Sequence, residues 1–209
     1  MNGFDGLVLL AYVSLAVELL AFPMPSEAST WQLFAMTGGQ GSGALANARR
    51  RSRLQKVVLH LLPTAMGVAL FSIPLLCIAW PPARSALSTW SSTGMTCIGL
   101  LLVVAGRFVT FASVLQLRAQ RAAGGGPAHG LFRWSRNPGL CGMFTFYIGL
   151  CLAFGAPLMW LGLPLYIGNM HLRVCMEEAD LLARHGEAWR AYVQRVPRYL
   201  GRRRLGSGT

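Results

Sequence analysis

Hydrophobic residues in this chain gather into long runs separated by short polar, basic or glycine-rich segments. The first run covers about 6–22 and stops at Pro23 and Pro25, which cannot extend a helix. A second covers about 57–80, with Pro63 and Pro74 inside it, and Pro81-Pro82 closes it. A membrane helix tolerates such prolines where its surroundings satisfy the freed carbonyls. The third, about 93–115, reads Cys97-Ile98-Gly99-Leu100-Leu101-Leu102-Val103-Val104 and then meets Arg107. The fourth, about 140–154, turns through Gly155-Ala156-Pro157 into the fifth, about 158–174. Both are short, which predicts a closely packed hairpin. Beyond 174 the pattern changes: Leu181, Leu182, Trp189, Tyr192 and Val196 stand among charges and predict an amphipathic C-terminal helix.

A helix needs about 20 mostly apolar residues to cross a hydrocarbon core about 30 Å thick. The runs therefore predict an all-α integral membrane protein of about five transmembrane helices, forming one domain over residues 1–209. Composition points the same way. Of 209 residues, 54% are hydrophobic and 12% charged, where a soluble domain carries about a quarter charged. The segment from Ser26 to Gln55, broken by Gly38, Gly39, Gly41 and Gly43, reads as a flexible loop in which Trp31 to Met36 can lie at the interface.

The net charge of +12, carried by 18 Arg and one Lys, gives the helices a direction. Arg49, Arg50, Arg51, Arg53 and Lys56 precede the second run, and Arg118, Arg121, Arg133 and Arg136 lie between the third and fourth. Arg184, Arg190, Arg195, Arg198 and Arg202 to Arg204 follow the fifth, and Arg84 stands by itself on the other side. Basic loops face the cytoplasm, so the N-terminus is expected outside and the C-terminus in the cytoplasm of a bacterial inner membrane. The same clusters read as anchors on anionic membrane lipids rather than as a nucleic-acid surface. Five cysteines, at 77, 97, 141, 151 and 175, show no C-x-x-C spacing and an odd count, so neither a disulfide framework nor a metal site is expected. The first run lacks a basic leader and a clear A-x-A site, so no cleaved signal peptide is expected. Nothing in the sequence sets an oligomeric state.

Two polar segments on the cytoplasmic side hold the candidate chemistry, 128–139 and 175–200. The first reads Gly130-Leu131-Phe132-Arg133-Trp134-Ser135-Arg136-Asn137-Pro138-Gly139-Leu140-Cys141-Gly142 and leads into the fourth run. The second opens on Glu177-Glu178-Ala179-Asp180-Leu181-Leu182 directly after the fifth. A hairpin between them brings both to one face and close together.

The first segment resembles the G-P-Y-R-x-x-R-[HN]-P-x-Y-x-G element of the isoprenylcysteine carboxyl methyltransferase and phospholipid methyltransferase superfamily. The second, continuing through His185-Gly186-x-x-Trp189-x-x-Tyr192-x-x-x-Val196, resembles that family's E-E-x-x-L-x-x-x-F-G-x-x-Y-x-x-Y-x-x-x-V tail. The match covers about 130–200, with only hydropathy in common before it. The resemblance implies an enzyme that binds S-adenosylmethionine at the cytoplasmic membrane face. It assigns Gly130, Leu131, Arg133, Arg136, Asn137 and Pro138 to one side of that cofactor, and Glu177 and Glu178 to the other. The implied acceptor is a lipophilic small molecule: a lipid amine, an isoprenoid-linked carboxylate or a small thiol. Leu131 stands for the family's Pro, Phe132 for its Tyr and Leu140 for a second Tyr, and the stretch from Arg107 to Gly130 is shorter than is common there. Two other readings attach to this membrane core, an NADPH-dependent reductase of sterol-like double bonds and a non-catalytic member of the fold.

The catalytic candidates are His171, which lies two turns before Glu178 on the same helical face, and Arg107, a charge within an apolar run. A thiol or protonated amine acceptor needs a base, for which His171, His129 and the glutamates are candidates, whereas a carboxylate or tertiary amine needs none. Plainer roles compete at each position. Glu177 and Glu178 can balance Arg173 and Arg184, Arg133 and Arg136 can be anchors, and Arg107 can snorkel to the interface. His60 reads as a helix-packing hydrogen bonder, Trp189 and Tyr192 as packing aromatics, and Glu18 as exposed near the cytoplasmic interface. Gly124 to Gly126 lacks the G-K-[ST] ending of a phosphate loop and reads as a linker.

Overall fold

The computed structural model describes residues 3–21, 47, 50–90, 92–122 and 130–200, and all the regular structure among them is helical. Helix α1 is Gly3–Ala21. The single turn α2, Arg53–Lys56, starts at a capping box, in which Ser52 Oγ accepts from Gln55 N and the Gln55 amide accepts from Ser52 N. A π-helical turn, Val57–Leu61, joins it to α3, Leu62–Phe71, and α4, Ile73–Ala79, and α5, Pro81–Leu87, follow. Then come α6, Thr93–Ala122, a 3-10 turn at Gly130–Arg133, α7, Pro138–Phe154, and α8, Pro157–Arg195.

Three stretches are long and apolar enough to cross a membrane: Gly3–Ala21, Arg53–Ala79 and Thr93–Gln120. Helix α7 is apolar but shorter. Prolines divide the second stretch. Pro63 and Pro74 each fall in the first turn of a helix, where a missing N–H is no loss, so α3 and α4 begin at them. At the break between them Ser72 Oγ donates to Val68 O at 2.8 Å and takes up a carbonyl. The fifth run, about 158–174, and the amphipathic C-terminal helix expected after it are continuous. Together they make up α8, to Arg195, interrupted at Gly186, whose φ of 52° is open to glycine at little cost. Helix α6 likewise outruns its apolar stretch by about two turns. Trp31 to Met36 and the glycines after them, Gly124 to Gly126, His129 and Arg202 to Arg204 lie outside the described residues.

The tightest packing joins α6 to α7, antiparallel, along a ridge of small residues. Gly99, Gly106 and Ser113 repeat every seven residues on α6, and Gly142 and Gly149 do so on α7. A Cβ at Gly99 would lie 2.6 Å from Gly149 O, one at Gly149 would lie 2.6 Å from Gly99 O, and one at Gly106 would strike Phe146 N. Only glycine lets two backbones approach this closely. The expected partner of α7 was α8. The two are joined by Gly155-Ala156, with Gly155 left-handed at φ 59°, but the facing glycines are on α6, and α8 packs chiefly on α3.

An aromatic core ties the remaining helices to this pair. Tyr12, Phe71, Phe146 and Tyr147 lie with ring centroids 5.2–5.9 Å apart in successive contacts, and Tyr147 Oη donates to Met159 O at 3.0 Å. One end of the bundle collects Asp5, Arg84 and Phe154: Arg84 pairs with Asp5 at 3.1 Å and lies over the rings of Phe4 and Phe154. The other end collects the segments around Arg136 and Glu178.

Candidate functional site

At that second end the chain after α8 folds back across the turn that precedes α7. Val196 is extended, so the chain leaves the helix axis, and three hydrogen bonds clip it down. Arg136 N donates to Pro197 O at 2.9 Å, while Ser135 Oγ and Asn137 Nδ2 donate to Arg198 O at 3.3 and 3.1 Å. Ser135 Oγ also accepts from Asn137 N at 3.0 Å and so fixes the turn from within. On the far side, Gly130, at φ 60°, sits against the Gln116 amide, whose oxygen accepts from Leu131 N at 2.8 Å. Tyr192 Oη closes the arrangement by donating to Phe132 O at 3.0 Å, and burial pushes this phenol up to about 12, so it stays a donor.

The clip delivers two guanidinium groups to one carboxylate. Arg136 Nη1 lies 2.9 Å from Glu178 Oε1, and Arg198 donates through Nε and Nη2 to Glu178 Oε2 at 3.0 and 2.8 Å. The side chains of Arg136 and Glu178 are only 3% and 12% exposed, so water screens the contact weakly. Hydrogen bonding to Glu178 holds the Arg198 guanidinium above its ordinary pKa. The cluster carries two positive charges against one negative. It can offer a carboxylate to a cationic group and guanidinium forks to an anionic one, which suits a zwitterionic ligand end.

The segments 128–139 and 175–200 therefore meet through Arg136 and Glu178. Pro138 is buried at the start of α7, Asn137 is bound to the returning chain, and Arg133 points to solvent. Glu177 lies beside Arg173. His171 faces the same returning chain: its Nδ1 is 3.1 Å from Tyr199 Oη and its Nε2 3.5 Å from Cys175 Sγ, and Tyr199 packs on Phe144. Arg107 faces a different way. Its Nη2 donates to Glu18 at 2.7 Å and its Nε to Ser14 at 3.1 Å, both on α1. Arg107 thus does not snorkel, and Glu18 is buried rather than exposed, because each supplies the other's counter-charge. Nor does Glu178 balance Arg184, which pairs instead with Asp180 one turn away at 2.6 Å. Trp189 and Tyr192 pack on each other at 5.3 Å.

Sequence reasoning missed Arg198 and Tyr199, which reach the site only because the chain turns back at Val196-Pro197. It also left unconnected the polar cluster of Arg51, His60, Thr64, Asn169 and Arg173, whose members, Arg51 apart, come from runs that read as apolar. No family model, curated protein or solved structure matches the chain.

Proposed function

We propose that this chain is an integral membrane methyltransferase that takes its methyl group from S-adenosylmethionine and passes it to a lipophilic acceptor in the bilayer. The observation that carries the reading is the Arg136–Glu178–Arg198 cluster, which joins the two segments on which the family resemblance rests. The amino-acid end of the cofactor is a zwitterion. Its carboxylate matches Arg136 and Arg198, and its ammonium matches Glu178 with Glu177 alongside. Binding of this kind replaces part of the hold of Arg198 on Glu178 by the ammonium and turns the freed guanidinium to the ligand carboxylate. The bound cofactor supplies an electrophilic methyl group on a sulfonium.

The chain's own share of the chemistry is to hold the ligands in line and keep water away. Leu131 and Phe132, in place of hydroxyl-bearing or rigid residues, give that region an apolar lining suited to a hydrophobic acceptor. His171, bound through both nitrogens to Tyr199 and Cys175, is a group on the returning chain able to relay a proton where the acceptor must lose one. In the membrane, the reading is of five passes, with the Asp5–Arg84 end outside and the Arg136–Glu178 end facing the cytoplasm of a bacterial inner membrane. Most of the arginines belong to the latter end, as basic loops of a membrane protein do.

The test is methyl transfer itself. Purified protein is incubated with S-adenosylmethionine carrying a tritiated methyl and with a total lipid extract, and radioactivity is counted in the organic phase. The reading expects labelled product that falls at least tenfold in Glu178→Gln. Absence of labelled product from a folded protein, or equal labelling by the variant, contradicts it.

A further inference from the structure

At the end of the bundle opposite Glu178, an open cleft of about 380 Å³ lies between α5, the first turn of α6 and the last turn of α7. Its lining is mixed, with Arg84, Ser85, Ser88 and Thr96 beside Trp90 and Phe154. Three of the polar groups are gathered around the two residues that end α7, Phe154 and Gly155. The Arg84 guanidinium lies 5.5 Å from the Phe154 ring centroid. Ser88 stands one helical turn further on, its N–H donating to Arg84 O at 2.9 Å, and its Oγ donates to Phe154 O at 2.8 Å. The Trp90 indole lies against Gly155, where an added Cβ would sit 3.0 Å from Nε1. A guanidinium, a hydroxyl and an indole N–H are thus held at one turn of the chain.

The hydrogen bonds already made decide what each group still offers. Asp5 takes one of the five N–H groups of Arg84, whose side chain stays 39% exposed. Trp90 Nε1 can only donate and the Thr96 hydroxyl can donate, and neither has a hydrogen-bond partner among the described residues. The two serines are the reverse case. Each hydroxyl has one hydrogen, which Ser85 gives to Pro82 O at 2.9 Å and Ser88 to Phe154 O. Toward the cleft their oxygens therefore only accept. The depth of the cleft is marked by Trp80 and Trp90, exposed at either end of α5, because membrane proteins place such aromatics at headgroup level.

We propose that this cleft binds the headgroup of a phospholipid whose phosphodiester is followed by a hydrogen-donating group, an ammonium or a hydroxyl. The phosphate accepts from Arg84, Trp90 Nε1 and Thr96, and a guanidinium is well shaped for it. The donating end of the headgroup meets the oxygens of Ser85 and Ser88. A choline end has no hydrogen to give and leaves both oxygens unserved. Arg84 and Asp5 balance each other without a ligand, so the phosphate brings in one negative charge, which an ammonium end offsets. The exposed Met95, Ile98 and Leu101 further along α6 give the acyl chains an apolar surface to follow. The assignment goes beyond methyl transfer and does not depend on it, because the cleft is at the other end of the bundle from Arg136 and Glu178.

The test titrates the full chain in detergent with didecanoyl phosphatidylethanolamine, phosphatidylglycerol and phosphatidylcholine, and follows the first bound lipid by native mass spectrometry. The ethanolamine and glycerol lipids are expected to bind at least tenfold more tightly than the choline lipid. Glycerophosphoethanolamine, the same headgroup without chains, is expected to bind at least tenfold more weakly than its lipid. The double variant Trp90→Phe with Thr96→Val keeps the shape of both side chains and breaks no hydrogen bond among the described residues. It is expected to bind the ethanolamine lipid at least tenfold more weakly, with its melting temperature in the absence of lipid unchanged. The comparison of lipids on the unaltered chain stands whether or not that variant folds. Equal binding of the three lipids, or undiminished binding by the folded double variant, overturns the proposal. Glycerophosphoethanolamine binding as tightly as its lipid overturns the lipid as ligand and makes the cleft a site for a soluble phosphodiester.

Discussion

Glu178 holds two guanidinium groups, and its replacement acts on both sides of the site. With Glu178→Gln, Arg136 and Arg198 face each other without a counter-charge, and the ligand ammonium loses its partner. A hydrogen bond to a charged group contributes about 1.5–3 kcal/mol, so the affinity for S-adenosylhomocysteine should fall more than tenfold, read by titration. An unchanged affinity removes Glu178 from the ligand site. The Arg107–Glu18 pair calls for a different experiment. Removing one member of a buried pair strands the other, at about 3–5 kcal/mol, while replacing both by apolar residues is often nearly neutral. Glu18→Leu should therefore lower the melting temperature in detergent, and the double variant Glu18→Leu with Arg107→Leu should recover most of the loss. A double variant as unstable as the single one would show the pair to be uncoupled. At this scale the sequence exposes charges but not pairings. Glu18 and Arg107 each stand out within an apolar run, yet 89 positions separate them. Arg136 and Glu178 were legible because their neighbours form a motif. Arg198 was not, being one of several tail arginines singled out only by the fold-back at Pro197.

The helices themselves are set by two kinds of residue. Prolines start α3, α4, α5, α7 and α8, and each of these boundaries is visible in the sequence. Glycines determine which helix meets which, and that was harder to see, because a seven-residue glycine spacing becomes meaningful only when a matching spacing faces it. Gly106→Ala places a methyl against Phe146 N and should destabilise the bundle by about 1–3 kcal/mol, the usual cost of overpacking. Gly168→Ala is the control. A Cβ there meets nothing within 4 Å, so the gain in helix propensity should leave the melting temperature unchanged or raised. Equal losses in both would mean that the α6–α7 contact does not rest on its glycines. That the fifth run and the amphipathic tail form one helix was not legible either. Hydropathy changes near 174, but the Glu, Leu, Ala and Arg that follow are good helix formers, so the backbone has no cause to stop where the apolar character does.

Across the whole molecule, charge is distributed by end. Arg84 and Asp5 neutralise each other at one end, while the other end gathers Arg136, Arg173, Arg184, Arg190, Arg195 and Arg198 around few carboxylates. Orientation follows if that second end faces the cytoplasm. With a membrane-impermeant maleimide on intact spheroplasts, Ser85→Cys should be labelled at once and Glu187→Cys only after permeabilisation, and the reverse order would invert the topology. The general helical architecture was legible in the apolar runs; the number of passes is less so, because α7 and the apolar part of α8 are short and gain their place by packing. The most direct measurement of the central claim is isothermal titration of the detergent-purified chain with S-adenosylhomocysteine, with NADPH titrated in parallel. The account predicts micromolar binding of S-adenosylhomocysteine and none of NADPH. Binding of NADPH alone, or of neither by a folded protein, would contradict it.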